Sequence, residues 1–258
     1  MIVQEKAAVE RLAPHRPLTE FYRGPDKRAH FVGELFDRAA ADYNWICRVM
    51  SLGTDRQYRK RVLRKAGLRP GTRVLDVATG TGLVAQAALD LGIPAADLVG
   101  VDPSKGMLQE NRRQRPICLL QGCGEALPFR DATFDFVVMG YALRHVEDLG
   151  GLFGEFHRVL RDGGKVLLLE ITRPSSRLGF ALMRLCLQTI LPLVTRLGTR
   201  REEPARLVEY YWATIAECVP PSSILAALSA AGFTHVERIT TGTVLSEFVA
   251  DKPGRLSS

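Results

Sequence analysis

Paired cysteines are missing from this chain. Cys47, Cys118, Cys123, Cys186 and Cys218 are scattered and no C-x-x-C occurs, which argues against both a disulfide framework and a zinc site, so no metal is expected. A signal-peptide apolar region is missing too, because Glu5, Lys6, Glu10 and Arg11 are mixed into residues 1–17. A reducing cytosol is the expected setting. Only residues 178–198 look membrane-like, and Arg184, Gln188, Pro192 and Arg196 interrupt them. Those arginines burden a spanning helix, whereas a buried or lipid-facing amphipathic helix tolerates them. Aromatics in an RNA-stacking pattern are absent beside the basic segments, so nucleic acid ranks low among expected partners.

What the chain does have is the composition of an ordinary globular protein, 46% hydrophobic and 24% charged. Its 258 residues suffice for one sizeable core and an elaboration, which predicts a single domain carrying a helical cap. The formal charge is +7 and the isoelectric point about 9.4. Arg56, Arg59, Lys60, Arg61, Arg64 and Lys65 crowd one short segment and leave Val62 and Leu63 to pack, as in a helix with one wet, basic face. Such a face is either plain solvated surface or a weak tether to anionic lipid.

Residues 1–26, with Pro14, Pro17 and Pro25, read as an irregular arm. From 28 to 66 the apolar residues recur at helical steps, through Phe31, Leu35, Phe36, Ala39 and Ala40 and then Ile46, Val49 and Met50, until Gly67 and Pro70-Gly71 stop them. Strands and helices then alternate: strands at 73–78, 98–102, 117–121, 134–139 and 164–172, helices at 82–91, 104–112 and 149–160. The rhythm breaks over the apolar stretch and a polar patch around 200–203. Ser222 is the expected cap of a helix ending at Gly232, and two strands, 235–241 and 244–250, close around Gly242 as an antiparallel pair. The predicted fold is α/β, a doubly wound seven-stranded, mostly parallel sheet with an antiparallel last strand, plus a helical cap. The predicted segments are 1–66 (arm and cap helices), 67–172 (core), 173–220 (apolar cap) and 221–258 (terminal helix and strand pair).

The first strand ends in Val74-Leu75-Asp76-Val77-Ala78-Thr79-Gly80-Thr81-Gly82, and a second apolar run ends on Asp102 some twenty residues later. Gly80 and Gly82 let the backbone pass close to a ligand, and an acid at the end of the second strand suits ribose hydroxyls, so this pair predicts a site for an adenosyl cofactor. Ala85 at the third glycine position leaves the turn alone indecisive about which one.

Farther along come Glu125-Ala126-Leu127-Pro128-Phe129, Phe134-Asp135-Phe136-Val137-Val138-Met139 and Arg158-Val159-Leu160-Arg161-Asp162-Gly163-Gly164. This order resembles the class I S-adenosylmethionine methyltransferases. The resemblance implies that Asp76 and the turn Ala78-Thr79-Gly80-Thr81-Gly82 hold the amino-acid end of the cofactor. By the same resemblance Asp102 lies at the ribose, Met107 packs on the adenine, Glu125-Ala126 lie by the adenine amino group, and Pro103, Gly124 and Gly140 are further cofactor-binding residues. Each has a plain structural alternative: Asp76 as a strand-end turn residue, Asp102 as a helix-start residue, Glu125 as a surface acid, Met107 as core.

Within that class, Leu35-Phe36-Asp37-Arg38-Ala39-Ala40-Ala41-Asp42-Tyr43, Met50-Ser51-Leu52-Gly53, Gly140-Tyr141-Ala142-Leu143-Arg144-His145-Val146, Leu168-Leu169-Glu170-Ile171-Thr172-Arg173-Pro174 and Tyr211-Trp212-Ala213-Thr214-Ile215 are similar to motifs of the ubiquinone/menaquinone-biosynthesis C-methyltransferases. The likeness spans roughly residues 31–249. It departs at Asn44 and Cys47, at Leu83 where an Asp is common, at His145 where Asn follows Arg, and at Thr241-Gly242-Thr243. These departures lie mainly on the acceptor side. The implied reaction is methyl transfer to a hydrophobic small molecule, a ring carbon of a quinol or phenol. Arg144 would stabilise the developing phenolate and His145, titrating near neutrality, would relay the proton. Tyr43, Tyr141 and Tyr211 are the expected acceptor-pocket residues, unless they are cap core.

Alternatives are an O- or N-methyltransferase of secondary metabolism or lipid head groups, and a silent cofactor-binding or RNA-associated protein. The apolar stretch reads equally as a lipid-facing helix, which would put the enzyme at the cytoplasmic face of a membrane, or as a core or homodimer helix.

Overall fold

The computed structural model describes residues 11–24, 27–199 and 201–254; expectations for residues 1–10, Pro25 and Arg200 lie outside them. Two helices come first, α1 (Arg28–Met50) and α2 (Asp55–Lys65). The core then runs β1 (Val74–Val77), α3 (Leu83–Leu89), β2 (Leu98–Asp102), α4 (Lys105–Gln114), β3 (Cys118–Gln121), β4 (Phe134–Gly140), α5 (Leu149–Val159) and β5 (Leu160–Ile171). Helices α6 (Arg177–Leu185), α7 (Leu191–Thr199), α8 (Glu203–Glu217) and α9 (Pro221–Ala230) precede the closing strands β6 (Thr234–Thr241) and β7 (Leu245–Asp251).

All seven strands join one sheet in the order β3-β2-β1-β4-β5-β7-β6. Strands β1 to β5 pair parallel, and β7 runs antiparallel to both β5 and β6. Central strands are apolar on both sides because both faces are covered. Leu75, Val77, Val99, Val101, Val137 and Met139 point to the face filled by Phe153 and Phe156 of α5 and Ile224 and Leu228 of α9. Val74, Leu98, Phe136 and Val138 point the other way, to Val62 and Leu63 of α2 and Ala85 and Ala88 of α3. The chain reverses direction of build-up between β1 and β4, and in such sheets a ligand crevice opens there beyond the carboxyl ends of the strands.

Helices α1, α7 and α8 form a third apolar cluster above that crevice, through Leu35, Ile46, Leu191, Tyr210, Tyr211 and Ile215. Asp37 pins α1 down: its carboxylate accepts from Ser104 Oγ at 2.6 Å and from the Gly106 N–H at 2.8 Å. Start signals are explicit for α4, where the Ser104 side chain accepts from Met107 N–H, and for α5, where Asp148 accepts from Gly150 and Gly151 N–H.

Three local expectations are corrected. Ser222 does not cap α9; Pro221 opens it with a preset φ and no side-chain cap. Strand β5 begins at Leu160 rather than 164, so α5 stops at Val159. The basic segment is less free than its sequence suggests, because Arg59 is buried and pairs with Asp55, while Arg56 pairs with Asp90 at 2.7 Å.

Behind the crevice lies a buried charge layer. Arg144, 1% exposed, pairs with the fully buried Glu170 of β5 and donates to Thr214 Oγ1 of α8 at 3.3 Å. Arg28 of α1 donates to the Arg144 carbonyl at 2.8 Å and shares a 2.8 Å hydrogen bond with His15 Nε2. Burial and the neighbouring Arg28 hold the His15 pKa down at about 4, so the ring is neutral and accepts from Arg28. A Glu170→Gln substitution strands a buried guanidinium, and a loss of about 3–5 kcal/mol is expected. Chemical denaturation measures it; a loss below about 1 kcal/mol would show that the pair does not join β5 to the cap.

Candidate active site

A half-open cavity of about 490 Å³ lies at the carboxyl ends of β1, β2 and β4, inside the size range of small-molecule clefts, roughly 300–1,000 Å³. Ala78, Gly80, Asp102, Pro103, Met107, Gly124, Glu125 and Gly140 line it on the sheet side, and Tyr43, Tyr141 and His145 on the cap side. Of the expected residues, Asp76, Thr79, Thr81, Gly82, Ala126, Arg144 and Tyr211 lie outside the lining. Unexpected members include Phe36, Ser104, Cys123, Met139 and, at the mouth, Arg11, Glu147 and Asp148. Phe36 belongs to a motif already singled out. Arg11 carried no signal, because it reaches the site only by the arm's path, where Leu12 N–H donates to Asp148 at 3.0 Å.

The turn after β1 is held by side chains behind it. Asp76 is fully buried and accepts from Thr79 Oγ1 at 2.6 Å, while Thr81 Oγ1 donates to Asn44 of α1 at 2.6 Å. Gly82 adopts φ 84°, and a Cβ there would meet the Asn111 side chain at 2.3 Å. Ala78 (φ 53°) and Tyr141 (φ 60°) also occupy the left-handed region, and both line the cavity. Each costs roughly 1–3 kcal/mol, strain that clusters at ligand sites.

Asp102 ties the first two strand ends together. Its carboxylate accepts from Gly80 N–H and Ser104 N–H, each at 2.8 Å, and burial raises its pKa to about 6. Asp76, more deeply desolvated, is pushed up to about 7 and keeps Oδ1 without a partner. Glu125 accepts the Glu147 N–H at 2.8 Å and faces the cavity.

His145 stacks on Tyr210 (5.4 Å) and Tyr211 (6.0 Å) and meets Phe36 edge-on at 5.1 Å. Both ring nitrogens lack a partner. Burial, reinforced by Arg144, Arg28 and His15, drives its pKa well below the usual value. The expectation that His145 titrates near neutrality is therefore corrected: it is neutral at physiological pH. Arg144 is corrected as well, because its charge points into the Glu170 pair and not into the cavity. Tyr211 stands one layer back, between His145 and Arg144. Tyr141 sits over the buried Arg59 guanidinium at 4.7 Å, and burial keeps its phenol, like those of Tyr43 and Tyr211, protonated.

These features fit an adenosyl sulfonium. The acceptors Asp102 and Glu125 suit ribose and adenine donors, Met107 offers an apolar face, and behind the turn Asp76 keeps one buried oxygen without a partner. Among the described residues no cluster able to hold a metal occurs.

Comparison with known proteins agrees. Residues 24–251 match the model of the ubiE/COQ5 methyltransferase family. A demethylmenaquinone methyltransferase of Symbiobacterium thermophilum is 33% identical over 234 residues, covering 85% of this chain and 92% of the relative. Another, from Beutenbergia cavernae, is 35% identical over 223 residues, covering 85% and 90%. Among solved structures, a SAM-dependent methyltransferase of Thermotoga maritima superposes with TM-score 0.60 at 19% identity, over 85% of this chain and 99% of that one. The phosphoethanolamine N-methyltransferase 2 of Haemonchus contortus, in complex with S-adenosyl-L-methionine, gives 0.59 at 17% identity, over 84% and 57%. The two solved structures share the fold with this chain; the family match and the curated relatives show that it is an S-adenosylmethionine-dependent methyltransferase and belongs to the ubiE/COQ5 family.

Proposed function

We propose that the enzyme methylates a ring carbon of a hydroxylated quinone precursor, in its reduced form, on the cytoplasmic side of a membrane. The observation that carries this is the cavity wall opposite the sheet. It is a tier of flat rings, Phe36, Tyr43 and Tyr141, around one neutral imidazole with unsatisfied nitrogens. Flat apolar walls suit an aromatic ring, and a lone polar group orients a hydroxyl. The curated relatives are named for demethylmenaquinone methylation, which supports the same reading. Nucleic acid has no place in it.

The bound cofactor supplies an electrophilic methyl group on a sulfonium. Asp102 and Glu125 would hold its adenosyl part and the strained Ala78–Gly80 turn its amino-acid end. So held, the methyl group could pass to the acceptor carbon as its bond to sulfur breaks, the proton on that carbon then leaving to water. The free nitrogen of His145 accepts the acceptor's hydroxyl proton in a hydrogen bond, which raises electron density on the ring. Arg144 and Glu170 do not touch the acceptor; with Thr214 and Tyr211 they position His145.

Two outcomes test this. Ionised Asp102 accepts ribose hydroxyls with both oxygens and a protonated carboxyl does not. Cofactor affinity is thus expected to rise with pH through about 6 and level off above, falling about tenfold per unit below. Calorimetry from pH 5 to 8 reads the step, and Asp102→Asn removes it while weakening binding about 10–100-fold. An unchanged step in that variant would assign the titration elsewhere.

His145→Ala is expected to lower kcat about 100-fold on a reduced hydroxynaphthoquinone with cofactor affinity intact. His145→Asn, which restores the family's usual residue, keeps most of the turnover. Unimpaired turnover in the Ala variant would remove the assigned role, and transfer only to amines or phenolic oxygens would overturn the ring-carbon reading.

A further inference from the structure

Nine large apolar side chains are exposed among the described residues, and seven belong to one helical unit: Leu178, Leu182, Leu185, Ile190, Leu193, Val194 and Leu197. Helices α6 and α7 are joined by a π-turn, Cys186–Ile190, into a continuous apolar helix, Arg177–Thr199. Its inner side is packed, with Leu187, Leu191, Pro192 and Thr195 buried near α8, and Phe180 meets Trp212 at a tilt with ring centres 5.3 Å apart. The outer leucines repeat at three- and four-residue steps on each half. The extra residue of the π-turn carries the stripe from one half to the next. An exposed apolar stripe of this length marks an interaction surface.

The charge around the stripe selects its occupant. From residue 171 to residue 201 the chain has no Asp or Glu, but it has Arg173, Arg177, Arg184, Arg196, Arg200 and Arg201. Arg196 and Arg201 already meet Glu209 and Asp42, and a two-fold contact between copies would set the remaining arginines against one another with no acid on either helix to pair them. An anionic bilayer surface matches both halves of the pattern, leucines entering the acyl boundary and arginines reaching the head groups. The same cluster that buries Leu187 and Leu191 contains Phe36 and Tyr43, which line the cavity.

We propose that the outer face of α6–α7 seats the enzyme on an anionic bilayer. Resting on the hydrophobic-acceptor reading above, this surface is where a lipid-soluble acceptor is taken up. The helix lies on the membrane and does not cross it, because one side stays packed on the protein. It is favoured over α2 as the contact face because no large apolar side chain of α2 is exposed among the described residues.

Flotation with vesicles of phosphatidylglycerol and phosphatidylcholine tests it, with pure phosphatidylcholine as reference. The wild-type protein is expected to float with the anionic vesicles at low salt. The double variant Leu182→Glu/Leu193→Glu, both sites exposed, is expected to bind at least about tenfold less, with cofactor affinity and turnover of a tail-less, water-soluble acceptor unchanged. Arg177→Gln/Arg184→Gln is expected to reduce the salt-sensitive part of binding. Wild-type protein that stays unbound at low salt overturns the proposal, as does a Glu pair that floats like wild type. Should the Glu pair instead convert a dimer to a monomer in sedimentation while vesicles bind neither form, the occupant is a second copy. Absence of cofactor binding in the wild type would sink the methyltransferase reading and leave the flotation result standing.

Discussion

One carboxylate organises this site. Asp102 receives the N–H of Gly80 from the turn after β1 and the N–H of Ser104 from the start of α4, so a single side chain closes the gap between two parallel strand ends. Ser104 in turn donates to Asp37 of α1, which extends the link from the sheet into the cap. Sheet ends and cap are thus linked through one chain of short hydrogen bonds. Burying that carboxylate is unfavourable for its charge, as its raised pKa records. A ligand whose hydroxyls complete its coordination recovers part of that cost.

The acceptor side obeys a different economy. Arg28 and Arg144 surround His145 with positive charge, and the buried carboxylate of Glu170 pairs with Arg144 through one oxygen, the other lacking a partner. A histidine in that field stays neutral, and a neutral ring with bare nitrogens hydrogen-bonds a hydroxyl without competing for the cofactor's positive sulfur. Positive charge near the acceptor oxygen also favours its ionised form. In the proposed mechanism Arg144 would therefore act on the reaction through the field and through the placement of His145, not by contact.

The fold was legible in the sequence because the apolar period switches cleanly between strand and helix, and because the glycine turn and Asp102 mark the ends of β1 and β2. Most of the cofactor-side residues reach the cavity for the same reason: the turn and strand-end positions are fixed by backbone geometry. Asp76 and Thr81 do not, since their side chains serve the turn from behind. The acceptor side was harder to read. Arg144 and His145 are sequence neighbours, yet one faces Glu170 and the other the cavity. That divergence follows from the turn after β4, where Tyr141 enters the left-handed region. Arg11 and Phe36 reach the cavity only through tertiary packing, which no local pattern encodes. Ser222 failed as a cap because the preceding Pro221 had already set the helix start.

In the proposed reading the helical cap, charged layer and sheet divide the work: the sheet ends would hold the cofactor and the rings of the cap the acceptor, with the buried ions packed behind them. The most direct measurement is a crystal structure with S-adenosylhomocysteine bound. It is predicted to show both ribose hydroxyls within hydrogen-bond reach of Asp102, adenine against Met107 and the sulfur facing the space between Tyr141 and His145. A ribose held elsewhere, or a sulfur turned away from His145, would contradict this account of the site.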